Sequence, residues 1–105
     1  MRITFYSHEP VFFTDFYRIH GKIRKLLQDS GYIHEHTLIY HDGYTVDLWR
    51  GNKYSVILRY TMRGDGSVSM LSIETYNEIL YDTLKNTIQR MLREKHYDFR
   101  VIESD

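Results

Sequence analysis

The chain has 105 residues, 42% of them hydrophobic, which predicts one domain over residues 1–105 and excludes intrinsic disorder. It contains no cysteine, which excludes disulfides, thiolate metal ligands and a cysteine nucleophile and fits a reducing compartment, so we expect a cytoplasmic protein. Fourteen basic and fourteen acidic residues give a net charge of zero, which removes the field expected of an unselective nucleic-acid binder.

Two elements are predicted before residue 32. Residues 2 to 6 alternate apolar and polar side chains, which predicts a short first strand. Pro10 then suits the first turn of a helix, because that position needs no backbone N–H. The helix should end near Ser30-Gly31, and Gly21 inside it predicts either a close packing contact or a bend. Its apolar stripe runs at three- and four-residue steps: Phe12, Phe16, Ile19, Ile23 and Leu26 or Leu27.

Three compact turns divide the middle of the chain: Asp42-Gly43, Gly51-Asn52 and Asp65-Gly66. They separate four predicted strands, at about residues 32 to 41, 44 to 50, 53 to 63 and 67 to 73. We interpret the first turn as a two-residue loop, because Asp-Gly suits a type I′ turn with φ > 0 at both central positions. That loop sets Ile39 opposite Val46 and Thr37 opposite Leu48.

The second turn permits two registers. A three-residue loop pairs Leu48 with Val56 and keeps one face apolar, whereas a two-residue loop would place a serine there. We favour the three-residue loop for this reason. The third turn aligns Tyr60 with Leu71, which continues the same apolar face.

The C-terminal third predicts a second helix and a last strand. Thr75, followed three residues later by Glu78, indicates a capping box at the start of the helix. An apolar stripe extends to about residue 95: Tyr76, Leu80, Leu84, Ile88 and Met91. Residues 98 to 103 alternate again, which predicts a strand that could pair with the first.

These elements predict an α+β fold, a meander sheet of about four to six antiparallel strands with both helices on one face, in the order β-α-β-β-β-β-α-(β). Two helices with one apolar stripe each cover only one side of the sheet. The uncovered side measures roughly 400 Å², less than the about 800 Å² that each partner buries in a standard complex. Val68 should lie on this side together with the predicted partner-binding residues: His34, His36, Leu38, Tyr40, Trp49, Ile57, Arg59 and Met70.

His34 and His36 raise the question of a metal site. Two residues apart on a strand, they should share a face, with Asp47 diagonally across from His36. Two imidazoles and a carboxylate could bind zinc. His-x-His alone lacks the spacing of a metal motif, however, so we expect these histidines to stack on Trp49 and assign neither a metal nor a cofactor.

We expect a non-enzymatic protein that binds a partner through the uncovered face, and we assign no catalytic residue. By analogy with other small charge-balanced domains, we expect an inhibitor, an immunity protein or a regulator, including those of mobile elements. The expected partner is another protein or a second copy in a homodimer. No signal peptide is expected at the N-terminus and no uncharged stretch approaches the about 20 residues that span a bilayer, so we expect no membrane partner.

Two alternatives use the same face differently. A toxin-like ribonuclease would use His34 or His36 as acid or base, and Arg59 or Arg63 would hold the scissile phosphate. An RNA- or DNA-binding domain would use those side chains or the basic residues of the first helix. The zero net charge disfavours nucleic acid as the partner.

Overall fold

The computed structural model describes residues 1–105 as six strands and two helices. In chain order they are β1 (Arg2–Val11), α1 (Phe13–Asp29), β2 (Ile33–Ile39), β3 (Tyr44–Arg50), β4 (Ser55–Met62), β5 (Val68–Thr75), α2 (Glu78–Glu94) and β6 (Phe99–Ser104). The strands form one antiparallel sheet in the order β2-β3-β4-β5-β1-β6. The predicted α+β fold and the pairing of the last strand with the first are confirmed.

Both helices cover the same face of the sheet. Their buried side chains join those of the sheet in one core of 20 apolar residues. The helices contribute Phe16, Ile19, Ile23 and Leu27 from α1 and Leu80, Tyr81, Leu84, Ile88 and Leu92 from α2. The opposite face of the sheet has no helix on it, and we call it the open face. Neither helix is both long and apolar enough to cross a membrane.

The N-terminal elements differ from the prediction in two places. β1 continues to Val11, so Pro10 lies in the strand rather than in the first turn of α1. A proline is tolerated there because β1 pairs with β5 as far as Tyr6 and again only at Val11, which leaves the segment between them outside that ladder. No atom lies within 4 Å of the place where a Cβ of Gly21 would stand, so the first of the two predicted alternatives for this glycine, a close packing contact, is absent.

The first hairpin has a three-residue loop instead of the predicted two. The N–H of Tyr40 donates to the C=O of Tyr44, and the N–H of Gly43 donates to the C=O of Tyr40. Gly43 adopts a φ of 83°, as the last residue of such a loop requires. The extra residue shifts the register by one, so that Leu38 pairs with Val46.

The second connection is also longer than predicted. Arg50 pairs with Ser55, which leaves a four-residue loop of residues 51–54. Leu48 consequently pairs with Ile57 rather than with Val56. The three-residue loop favoured by the sequence is therefore wrong, and β3 enters the sheet one residue out of the expected register on both of its sides.

These two shifts turn β3 over relative to the prediction. Thr45, Asp47 and Trp49 face the core, while Val46 and Leu48 lie on the open face. Trp49 is only 2% exposed, because its ring has the largest apolar area in the strand to bury. The cost is a buried indole N–H, the one buried side-chain polar atom without a hydrogen-bond partner.

The third turn confirms the predicted register over most of its length. Tyr60 pairs with Leu71, as expected. Close to the turn, Met62 pairs with Val68 instead of Ser69, and the register shift between Thr61 and Met62 separates this pair from the predicted pairing of the rest of the hairpin. Val68 is 2% exposed and belongs to the core, so its predicted place on the uncovered side is wrong.

α2 begins two residues later than the predicted capping box. Asn77 is the N-cap, and its side chain accepts a hydrogen bond from the N–H of Leu80 at 3.1 Å. Thr75 is instead the last residue of β5, and its hydroxyl accepts a hydrogen bond from the N–H of Asn77. Tyr76 is exposed and precedes the helix, whereas the C-terminal end at Glu94 agrees with the prediction.

Candidate functional site

The open face brings together most of the predicted contact residues. Five of them lie on it, on the three strands β2, β4 and β5: His36, Leu38, Ile57, Arg59 and Met70. Tyr40 is the first residue after β2, and its ring centroid lies 5.8 Å from that of Tyr44. The remaining two, His34 and Trp49, lie on the core side.

A bulge in β2 separates the two histidines. His36 pairs with Leu48 and His34 pairs with Trp49, so the strand gains one residue between these pairs and its side chains change face. The prediction that His34 and His36 share a face is therefore wrong. Asp47 pairs with Thr37 on the core side and not with His36.

Apolar side chains cluster at the β2 end of the open face. Across the strands, His36 neighbours Leu48 and Leu48 neighbours Ile57, while Leu38 neighbours Val46. Leu38 is 54% exposed, and the three residues on β3 and β4 are half-buried by one another. We call His36, Leu38, Val46, Leu48 and Ile57 the β2 patch.

The remainder of the open face combines the apolar or aromatic side chains of Tyr6, Met70 and Ile102 with polar side chains that pair with one another. Nη1 of Arg59 lies 2.6 Å from Oε1 of Glu74, so the charge of this arginine is neutralised by a neighbouring strand. The hydroxyl of Thr4 donates to that of Ser72 at 3.2 Å, and both residues are buried. Arg59, one of the two arginines considered for the phosphate of a ribonuclease site, is thus already paired with a carboxylate, and Arg63 is the other.

The β2 edge next to the β2 patch is exposed along its whole length. Every residue of Ile33–Ile39 is exposed, because the two helices do not extend over this strand. Ile33 and Ile39 are 63% and 75% exposed. Large apolar side chains therefore lie in solvent on both faces of the edge strand.

On the core side, four residues from three elements form what we call the histidine cluster: His20 of α1, His34 and Thr37 of β2, and Asp47 of β3. The hydroxyl of Thr37 donates to Oδ1 of Asp47 at 2.5 Å. Nε2 of His20 lies 3.4 Å from Oδ2, and Nε2 of His34 lies 3.4 Å from Oδ1 of the same carboxylate. The ring of His34 also packs against Trp49, with the ring centroids 5.0 Å apart and the ring planes tilted by 47° rather than stacked.

Asp47 is the buried charge of this cluster, with a side chain that is 6% exposed. Burial alone raises the pKa of its carboxyl group. Hydrogen bonds from His20 and Thr37, together with electrostatic attraction to His20 and His34, outweigh burial and hold the pKa of Asp47 below its ordinary value of 3.8. The cluster therefore contains a carboxylate at neutral pH.

A groove lined by aromatic side chains opens beside the histidine cluster. It lies between α1 and the turn from β4 to β5, and its volume of about 460 Å³ falls in the range of small-molecule sites. Its walls include Phe13, Tyr17, His20 and Tyr60. Burial, with a contribution from Asp47, raises the pKa of Tyr60 to about 12, so its hydroxyl stays protonated.

The sequence did not indicate the histidine cluster, because the fold joins His20 to residues that lie 14 to 27 positions later in the chain. One signal was present. Asp47 alternates with Thr45 and Trp49 along β3, so any register that buries Trp49 also buries a carboxylate, which then needs partners. His20, one helical turn after Phe16, is the partner supplied by α1.

No group of three or more histidine, aspartate or glutamate side chains is arranged so that it could hold a metal ion. No protein-family model matches the chain, and no curated protein matches it.

Proposed function

We propose that this protein is a non-enzymatic binding module that attaches to another protein through the β2 patch and the adjoining β2 edge, and so inhibits or regulates it. The observation that carries the proposal is the sheet face that no helix covers, with Leu38, Leu48 and Ile57 at its apolar end. Monomeric proteins rarely leave a contiguous apolar patch uncovered unless it meets a partner.

The chemistry of the β2 patch suits a protein partner better than nucleic acid. The patch contains no lysine or arginine, and the adjacent guanidinium groups of Arg59 and Arg50 already lie against Glu74 and Glu35. A partner would therefore be recognised by apolar contact, with His36 as the polar group at the edge of the patch. The cysteine-free composition supports action in the cytoplasm.

The test is a substitution in the centre of the β2 patch. We expect Ile57→Lys to weaken partner binding by at least about tenfold, because a charge would be buried against the partner without a counter-ion. Partners captured from the native cell are identified first, and the affinity is then measured with the purified partner by calorimetry.

Ile79→Lys serves as the matched control. Ile79 lies on α2 and is 83% exposed, so the same chemical change is made far from the open face. This variant should bind like the wild type, and thermal unfolding should show that both variants are folded. Equal affinity of Ile57→Lys and the wild type would refute the proposal.

The histidine cluster favours a second function, acid–base catalysis on a small substrate bound in the aromatic groove. His20 contacts both the groove and the buried carboxylate of Asp47, which is the usual arrangement for orienting a catalytic imidazole. This site differs from the predicted ribonuclease site, because it uses His34 with His20 and not with Arg59.

A fluorogenic single-stranded RNA and simple phosphodiesters are suitable probes for such an activity. Asp47→Asn keeps the size of the side chain but removes its charge, so we expect it to reduce turnover by about 100-fold or more. Ile57→Lys should leave the rate unchanged. The absence of turnover in the wild type, or undiminished turnover in Asp47→Asn, would exclude this second function.

A further inference from the structure

β2 is an unprotected edge of the sheet. One side of Ile33–Ile39 has no neighbouring strand. Natural edge strands usually carry lysine, proline or a covering segment that prevents pairing with another chain. β2 has no lysine, arginine or proline, and its one carboxylate, that of Glu35, lies 3.4 Å from Arg50 of β3. The bulge between His34 and His36 disturbs only the first half of the strand.

The second half of β2 offers backbone groups to a new strand. The N–H of Tyr40 donates to Tyr44 and its C=O accepts from Gly43, so the backbone of Tyr40 faces the first hairpin. In an antiparallel ladder this direction alternates from residue to residue. The backbone N–H and C=O groups of Thr37 and Ile39 therefore point away from the sheet.

We propose that β2 pairs antiparallel with β2 of a second copy of this chain, about a two-fold axis at Leu38. This register uses the outward backbone groups of Thr37 and Ile39. On the open face, Leu38 lies opposite Leu38 of the second copy, and His36 lies opposite Tyr40. On the core side, Thr37 lies opposite Ile39, so that β-branched side chains meet.

The side chains that meet favour this register over the next one. With the axis at Leu38, Glu35 lies beyond the end of the second copy's β2 at Ile39 and keeps its contact with Arg50. Moving the axis to Thr37 also uses the outward backbone groups. It would, however, place Ile39 opposite Glu35, an apolar side chain against a carboxylate.

The size of the edge predicts a reversible dimer. Seven residues at about 3.3 Å each form an edge roughly 23 Å long and about 10 Å thick. This is well below the about 800 Å² that each partner buries in a standard complex, so the dimer dissociates on dilution.

Pairing would place the two β2 patches side by side in one continuous sheet. The inference deepens the proposed function and depends on it for its biological meaning, since the doubled open face approaches the area that a stable complex with a partner protein needs. The pairing itself is tested without that partner.

Analytical ultracentrifugation of the full chain over about 10 μM to about 1 mM tests the dimer. The wild type should shift from 12.8 kDa towards twice that mass as its concentration rises. Leu38→Lys and Leu38→Glu should each remain monomeric, because like charges would meet at the axis. An equal mixture of the two variants should recover the dimer, which only a register with position 38 facing itself allows.

The backbone contribution has its own pair of variants. Ile39→Pro removes an outward N–H that has no partner within the chain, and it should abolish the dimer. Ile39→Thr keeps this N–H and the β-branched shape and should dimerise like the wild type. Circular dichroism establishes whether Ile39→Pro is folded, and if it is not, the Leu38 variants decide alone.

A wild type that stays monomeric throughout, or Leu38 charge variants whose mixture does not recover the dimer, would overturn this inference. The result is separable from that for the proposed function. If the wild type is monomeric and Ile57→Lys still abolishes partner binding, the dimer is refuted and the proposed function stands. If the wild type dimerises and Ile57→Lys does not affect partner binding, the proposed function is refuted and the dimer stands.

Discussion

At the scale of single residues, Gly43 controls the register of the sheet. Its φ of 83° closes the three-residue loop, and a Cβ at this position would stand 2.0 Å from the carbonyl oxygen of Met62. Met62 in turn donates its N–H to the C=O of Gly43 at 2.9 Å. One glycine therefore joins the first hairpin to the end of β4 and holds β3 between them.

Substitution of this glycine tests its role. We expect Gly43→Ala to lower the free energy of unfolding by about 2 kcal/mol or more, because a left-handed conformation costs a non-glycine residue about 1 to 2 kcal/mol before the clash is added. Gly21→Ala is the control. It lies in α1 with open space around its Cβ position, so it should raise the free energy of unfolding by up to about 1 kcal/mol. Urea denaturation measures the free energy of unfolding of both variants. A Gly43→Ala variant as stable as the wild type would contradict this role of Gly43.

Trp49 and Asp47 show how two side chains of one strand constrain each other. Because successive residues of a strand face opposite sides, burying Trp49 also buries Asp47, two residues before it. The aspartate is stabilised by Thr37 and His20, on two different elements. The polar cluster therefore accompanies the burial of the indole ring.

At the scale of elements, β2 and β3 differ from the rest of the sheet. β4 and β5 pair as the third turn predicted, with Leu58 opposite Ile73 as well as Tyr60 opposite Leu71. β3 is displaced by one residue on both sides, because each of its connecting loops is one residue longer than favoured. A shift of one residue exchanges the two faces of a strand, so an error of one residue in loop length reversed the predicted faces of β3.

The helices were more predictable than the loops. The buried positions of α1 recur every three or four residues, and this period survives an error of a residue or two at either end. The N-terminus of α2 was displaced because Thr75 and Asn77 are both good capping residues. The tertiary structure uses Thr75 in β5, where its hydroxyl donates to the C=O of Ser55, and leaves Asn77 to cap the helix.

At the scale of the whole molecule, stability should fall in acid. The pKa of Asp47 is lowered chiefly because its histidine and threonine partners outweigh burial, and the pKa values of Asp65 and Glu103 are lowered by hydrogen bonds from Ser67 and Lys85. A carboxyl group with a lowered pKa in the folded state stabilises the fold above its unfolded value, near 3.8 for aspartate. That stabilisation is lost as the pH falls through the folded pKa.

Asp47→Asn isolates the largest buried contribution to this acid sensitivity. At pH 7 we expect the variant to be about 1 to 3 kcal/mol less stable than the wild type, because it loses charge-assisted hydrogen bonds. The difference should shrink steadily as the pH drops below about 4, where the wild-type carboxylate becomes protonated. Thermal melts at several pH values measure it, and a difference that does not vary with pH would show that the charge of Asp47 contributes no stability.

Local sequence patterns were enough to predict the order of the elements, the inward face of β4, most of the inward faces of α1 and β5, and one sheet face left without a helix, because apolar periodicity is local and the chain has only two amphipathic helices. They also located His36, Leu38, Ile57, Arg59 and Met70 on that face. The orientation of β3, the separation of His34 from His36 and the contact of His20 with Asp47 arise from the folded arrangement of the chain. These depend on the exact number of residues in a loop or bulge, which is fixed by contacts between distant segments and not by the local pattern.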